Sequence, residues 1–340
     1  MRVMQVMGSD KRGGAENFFS RLCVALSHTD IKQDVVIRRS APCKQDLLAG
    51  GIAPVELPFL YSGDIVSKML LKRRIARFKP DLVLTWMSRA TSICPTGPFV
   101  RVARLGGYYD LKYYGHCHHL VANTEEIVDY LVKNGWPREK ASYLPNFVEE
   151  KHQPPVSRAS LGTPDDVPVI LALGRLHSDK AFDVLLDAMA EVPGAHLWLA
   201  GEGALDSQLK AQANRLGLED RVHFLGWRTD SGALLAAADC LVCPSRVEPL
   251  GNVILEGWVQ RKPVVAATAT GPAGLIETEK TGLLVPLEDA PALAAALRRV
   301  IDGTGLSERL VEAGYRHYRD HFSREAVVAR YLEFFRKMVP

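Results

Sequence analysis

The sequence contains no run approaching the roughly 20 consecutive apolar residues that a bilayer-spanning helix requires. Met1 to Gly14 carries only a short apolar stretch, broken by Gln5. That fits a first buried strand better than a secretory signal, so a cytoplasmic protein is expected. Cysteine is scarce and unpatterned. The six residues (Cys23, Cys43, Cys94, Cys117, Cys240, Cys243) fall at no disulfide-framework spacing. Cys240 and Cys243 form a CxxC inside the apolar run ADCLVCPS, but no second ligand pair follows, so packed reduced thiols are expected. His116, Cys117, His118 and His119 also lack a further ligand at suitable spacing, and no metal site is expected. The chain has no G-x-G-x-x-G, which argues against an NAD-dependent oxidoreductase, and no G-K-[ST], which excludes a Walker loop. Short-period repeats and low-complexity tracts are missing as well.

What is present is the material of a folded α/β protein. At 340 residues the chain is too long for one ordinary core and suits two domains. Its net charge of +3 hides an asymmetry: residues 1–150 hold 21 Lys and Arg against 15 Asp and Glu, and the remainder is net acidic. Much of the excess lies in SKMLLKRRIARFKP, where Lys68, Lys72, Arg73, Arg74, Arg77 and Lys79 interleave with apolar residues. Residues 68–79 read either as an amphipathic helix that meets an anionic membrane surface or as the solvated face of an ordinary crossover helix.

Short apolar runs alternate with helical patterns along the chain. RVMQVM, DVVIRR, PDLVLTW and HLVANT read as strands; Ala15–Leu26 and Glu125–Asn134, capped by Thr124, read as helices. The Pro- and charge-rich segment NFVEEKHQPPVSRASLGTPDDVP reads as a linker. The rhythm then resumes with strands PVILALG, AHLWLAG, VHFLGW, DCLVCPS and KPVVAA, and ends in a helical tail from Asp289 to Met338. Strands separated by helices imply βαβ units, hence two doubly wound parallel sheets in tandem. Ligands of such sheets bind beyond the carboxyl ends of the strands, and a cleft between two facing domains is the expected active site.

Four features fall at strand ends. Gly8 to Glu16, GSDKRGGAE, follows the first strand; Gly13 and Gly14 leave room for a phosphate or sugar to approach the backbone, although a tight turn explains them equally. Gly174, Arg175 and Lys180 place two cations between a strand and a helix, suited to a diphosphate leaving group or simply to solvent. Gly201-Glu202-Gly203 reads as a structural turn. The strongest is CPSRVEPLGNVILEGWVQRKPVVA. Glu248 precedes a helix and Glu256 lies within it; Gly251 and Asn252 open that helix with unpaired N–H groups. Glu256 stands among Val253, Ile254, Leu255 and Trp258, where a buried carboxylate without a role would be costly.

With Glu248-PLGNVIL-Glu256 in view, the sequence resembles the retaining glycosyltransferases of the GT-B fold, the fourth family of that classification. GGAE at 13–16, LPN at 144–146, GR…K at 174–180, AGEG at 200–203 and RKPVVA extend the likeness over essentially the whole chain, in order. The resemblance implies two Rossmann-like domains facing across a cleft: an acceptor domain over 1–150, a nucleotide-sugar domain over 151–322, and a last helix over 323–340 that crosses back. It implies that Arg175 and Lys180 stabilise the departing diphosphate, helped by the amides of Gly251 and Asn252. Gly174, Leu250 and Val253 would line the donor, Glu256 would hold the ribose, and Glu248 would contact the transferred sugar. Gly13 and Gly14 would approach the diphosphate from the other domain. No D-x-D occurs, in keeping with Arg and Lys replacing a metal, and no cofactor is expected.

The family's histidine in the N-terminal domain has no counterpart in LTWMSRA or VARLGGYYDLKYYGHCHH. Glu16, Tyr108, Tyr109 and Asp110 are the acceptor-side candidates, with Asp110 or Tyr109 for proton removal; a plain surface loop explains GGYYDLKYY equally. The expected reaction moves a hexose from a UDP-sugar, or failing that GDP-mannose, to a glycan or glycolipid of the bacterial envelope, with no nucleic-acid partner. A non-catalytic sugar-nucleotide or glycan binder and a GT-B epimerase are the alternatives.

Overall fold

The computed structural model describes residues 1–11, 13–61 and 64–339. Its elements begin with β1 (Arg2–Met7), α1 (Gly14–Ser27), β2 (Lys32–Arg38), α2 (Lys44–Ala49), β3 (Val55–Leu57) and α3 (Ile65–Phe78). They continue with β4 (Leu82–Trp86), α4 (Met87–Ile93), β5 (Val100–Leu105), β6 (His119–Ala122), α5 (Glu125–Lys133) and β7 (Ala141–Tyr143). The second series is β8 (Val169–Leu173), α6 (Phe182–Ala190), β9 (His196–Ala200), α7 (Asp206–Arg215), β10 (Val222–Gly226), α8 (Ser231–Ala237) and β11 (Cys240–Cys243). It runs on through α9 (Asn252–Val259), β12 (Val264–Ala267), α10 (Thr270–Leu275), β13 (Leu283–Val285), α11 (Ala290–Asp302), α12 (Thr304–His321) and α13 (Arg324–Met338). Two compact units result: Met1–Phe147 with Arg324–Pro340, and Val148–Ser323.

Each unit is built on an all-parallel sheet, in the orders β3-β2-β1-β4-β5-β6-β7 and β10-β9-β8-β11-β12-β13. In both, the order reverses beside the first strand, between β1 and β4 and between β8 and β11. The loops leaving those strands therefore diverge and open a crevice at the carboxyl edge. This is the doubly wound α/β fold, present twice.

Local chemistry sets the helix ends. Thr124 accepts from the Ile127 N–H, Asp64 from Ser67 and Asp289 from Ala292, each satisfying a donor at a helix start. Lys79 closes α3 in a left-handed conformation. The proline-rich segment after Asn146 is not a free linker. Phe147 packs in the core of the first unit and Val148 in that of the second. Beyond Val148 the segment is tied down: Arg158 donates to the Ala237 carbonyl and to Asp239, and Trp198 donates to Thr163. All six cysteines are buried free thiols.

Candidate active site

The second unit gathers the predicted donor-side residues at its crevice. β8 delivers Gly174 and Arg175, and a single 3₁₀ turn, Ser178–Lys180, brings Lys180 back toward the β11 loop. Lys180 Nζ pairs with Glu248 Oε2 at 2.6 Å, with both side chains largely sheltered. A β-carbon on Gly174 would stand in ordinary contact with the Lys180 stem, at 3.4 Å. The Arg175 guanidinium is exposed and makes no hydrogen bond or ion pair among the described residues.

The helix opening differs from the sequence expectation in one respect. Gly251 takes φ 69° as the N-cap of α9, and its own N–H donates to Glu248 Oε1 at 3.3 Å. The open amides are those of Asn252 and Val253, which have no acceptor among the described residues. Glu256 lies one turn into α9 and is half-buried rather than enclosed, so the cost of burial does not by itself argue for a role. Leu250, Asn252 and Val253 are half-buried around it. The arrangement presents an unpartnered guanidinium, an ammonium held by one carboxylate and two free amides, groups whose chemistry suits anionic oxygens.

Two supports of this site escaped the sequence reading. Arg246 forks onto Asp183 at 2.7 and 2.8 Å, pairs with Glu288 and donates to the Ser178 carbonyl, tying the β11 loop to the turn that carries Lys180. That guanidinium holds the Asp183 carboxyl below its usual range. Gly271, just after β12, donates its N–H to the Glu248 carbonyl at 2.7 Å; a β-carbon there would lie 2.4 Å from the same oxygen. The strand-end position of ATGPAG was the available signal. Gly201 and Gly203 are structural. Added β-carbons would come within 1.8 Å of the Gly174 oxygen and 2.3 Å of the Leu176 oxygen. Burial, with the Glu248 charge behind it, pushes the Cys243 thiol up to about 11, which keeps it protonated and inert.

In the first unit, Gly13 caps α1 in extended conformation, and a β-carbon on Gly14 would meet nothing within 4 Å. Arg12, within the same motif, lies outside the described residues. Glu16 is buried and accepts the Ser9 hydroxyl, and burial together with the Glu16 charge raises Tyr109. Glu16 and Tyr109 therefore share one locality. Tyr108 turns outward, edge-on to Tyr130, and is pushed up to about 12 by burial and by Glu126. Asp110 is exposed, caps the turn Leu111–Tyr113 and pairs with Lys112 at 2.7 Å, which lowers its carboxyl and weakens it as a base. Asn123, buried at the end of β6, has an Oδ1 without a partner among the described residues. His118 and His119 are used internally, by the Arg101 N–H and by Ser142. Among the described residues no three His, Cys, Asp or Glu side chains come together as a metal site.

The glycosyl transferases group 1 family matches residues 167–303, the stretch that carries Gly174 to Glu256. Over its whole length the chain is similar to two lipopolysaccharide core biosynthesis glycosyltransferases of Rhizobium meliloti strain 1021. LpsD is 37% identical across 98% of both chains, and LpsE is 36% identical across 95% of this chain and 96% of its own. The crystal structure of HepE from Anabaena in complex with UDP and glucose shares the fold, with a TM-score of 0.78 over 99% of this chain and 100% of that one at 22% identity. The fold, the E-x7-E loop and near full-length identity converge, and this chain belongs to the group 1 glycosyl transferases of GT-B fold and is a glycosyltransferase.

Proposed function

We propose that the enzyme transfers a hexose from a UDP-sugar to a lipid-linked core glycan of the bacterial envelope, without a metal and with retention at the anomeric carbon. The observation that carries the reading is the Lys180–Glu248 pair set beside the unpartnered Arg175 and the open amides of Asn252 and Val253. Two fixed cations and two N–H groups supply the charge balance for a diphosphate that a metal supplies elsewhere. The names of LpsD and LpsE support a lipopolysaccharide core acceptor, and HepE with UDP and glucose supports uridine. The excess of cations in residues 68–79 supports a lipid-linked acceptor at an anionic membrane surface.

On donor binding, the β-phosphate displaces Glu248 from Lys180, and the freed carboxylate turns to the hydroxyls of the sugar. Glu256 grips the ribose. As the bond from the anomeric carbon to the phosphate oxygen breaks, Arg175 and Lys180 take up the growing negative charge. The acceptor hydroxyl bonds to the same face, and its proton passes to the leaving phosphate oxygen. That route needs no strong base, in keeping with the weakened Asp110. Calorimetry with UDP and GDP in EDTA tests the donor site. Micromolar UDP binding, weakened about tenfold or more in Glu256→Ala and Lys180→Ala, is the expected result. No nucleotide binding by the folded protein refutes it, and inverted product by anomeric NMR refutes retention.

A further inference from the structure

Five of the large apolar side chains that stand exposed lie within ten positions: Leu60, Tyr61, Ile65, Val66 and Met69, between 46% and 76% accessible. They surround the first turn of α3. The opposite face of that helix buries Ser67, Leu71 and Ile75 against the first sheet, so the outward orientation is fixed by packing. Further along the outward surface come Lys68, Lys72, Arg73 and Arg77, followed by Lys79, all exposed. None of these five makes an ion pair or side-chain hydrogen bond among the described residues. Arg74 is turned inward onto Asp34, with contacts of 2.7 and 2.8 Å. Asp64, the one acid between positions 60 and 79, is buried as the N-cap and bonded to Ser67 and the Leu60 N–H. Among the described residues of 60–79 the outer surface is therefore apolar at one end and cationic over the rest, and it carries no exposed acid of its own.

We propose that this surface docks on an anionic bilayer, with Leu60, Tyr61, Ile65, Val66 and Met69 entering the boundary between headgroups and acyl chains while the cations of α3 engage lipid phosphates. Isolated exposed apolar residues need no explanation, but a contiguous cluster beside unpaired cations matches the two components of interfacial binding, apolar insertion and attraction to anionic lipid. Pairing with a second copy is the poorer fit, because an isologous contact sets like charges against each other. The inference deepens the proposed lipid-linked acceptor and rests on it for its purpose. It adds the apolar wedge of Leu60, Tyr61, Ile65, Val66 and Met69, which the charge pattern alone did not reveal.

The test is co-sedimentation of the full chain with phosphatidylcholine vesicles, with or without roughly a third of phosphatidylglycerol. The chain is expected to pellet with the anionic vesicles only. Lys72→Glu/Arg73→Glu and Ile65→Ser/Met69→Ser should each weaken vesicle binding about tenfold or more, with UDP binding unchanged. Wild-type protein left in the supernatant with anionic vesicles overturns the proposal. So does either variant pair binding as wild type, or a dimer in solution that Ile65→Ser/Met69→Ser dissociates. Because the assay contains neither donor nor acceptor, wild-type protein that binds UDP but not anionic vesicles condemns the docking surface alone. Vesicle binding without nucleotide binding condemns the donor reading alone.

Discussion

Gly14 and Gly271 are glycines for opposite reasons, and the difference makes one of them a clean probe. A methyl group on Gly14 meets open space and φ there is ordinary, so nothing within the first unit requires glycine. In the first turn of α1, Gly14→Ala should leave the melting temperature unchanged or slightly raised. If the ligand backs onto this turn, the same substitution should lower kcat/KM about tenfold or more; unchanged kinetics would exclude close approach. Arginines 101 and 104 show the other side of residue-level reading. Both are buried in β5. Arg101 donates to the carbonyls of Cys94 and His116, and Arg104 lies 4.6 Å from the Phe18 and Trp86 rings while donating to Tyr331 and Asn146. Two charges in six residues break the apolar pattern of β5, so VRVARL carries no local strand signal. The partners of Arg104 come from distant parts of the chain, so no local rule could have placed it inside.

At the scale of elements, the β11–α9 connection is stiff because three neighbours hold it. Arg246 anchors its start, Lys180 its middle and Gly271 its far side. Gly271→Ala puts a carbon 2.4 Å from a backbone oxygen that has no freedom to rotate away, so the loop carrying Glu248 must shift. We expect a folded protein with UDP affinity reduced about tenfold or more, measured by calorimetry; wild-type affinity would show the loop to be pliable. Several further elements carry little sequence signal for a shared reason. α2, β3, β7 and β13 are six residues or fewer, and α10 contains two glycines and a proline. Short segments carry too little periodicity to read, and it is the neighbouring strand that makes β3 or β13 a strand.

At the scale of the molecule, α13 belongs to the first unit although it ends the chain. Val327, Val328, Tyr331, Phe334 and Phe335 are buried there, and at about 2 kcal/mol each they contribute roughly as much as a domain's whole net stability. Truncation after Ser323 should abolish the cooperative melting of the first unit while the second keeps its own transition, as followed by calorimetry; retention of both would refute the assignment. His119 titrates at the same contact, with Phe334 edge-on to its ring. Burial, and secondarily the Lys337 charge, lower its pKa from 6.5 to about 4. The unfolded chain therefore binds this proton first. Stability from this group is complete above about pH 6.5, declines as pH falls toward 4, and changes no further below. Melting curves of His119→Gln should lose that part of the decline, and parallel wild-type and variant curves would refute it.

Periodicity in the sequence determined that strands and helices alternate, because burial on both faces of a parallel sheet leaves continuous apolar runs with turns between them. The spacing of Gly174, Arg175 and Lys180 and of Glu248 and Glu256 marked the proposed donor site, because strand ends are local features. Tertiary structure alone decided the rest. It showed that Lys180 and Glu248 hold each other, that Gly251 gives its N–H to Glu248 while Asn252 and Val253 keep theirs free, and that Arg246 and Gly271 brace the loop. It also brought Leu60 and Tyr61 beside the start of α3. Each of these depends on residues far apart in the chain or on side-chain direction, and hydrophobic pattern carries information about neither.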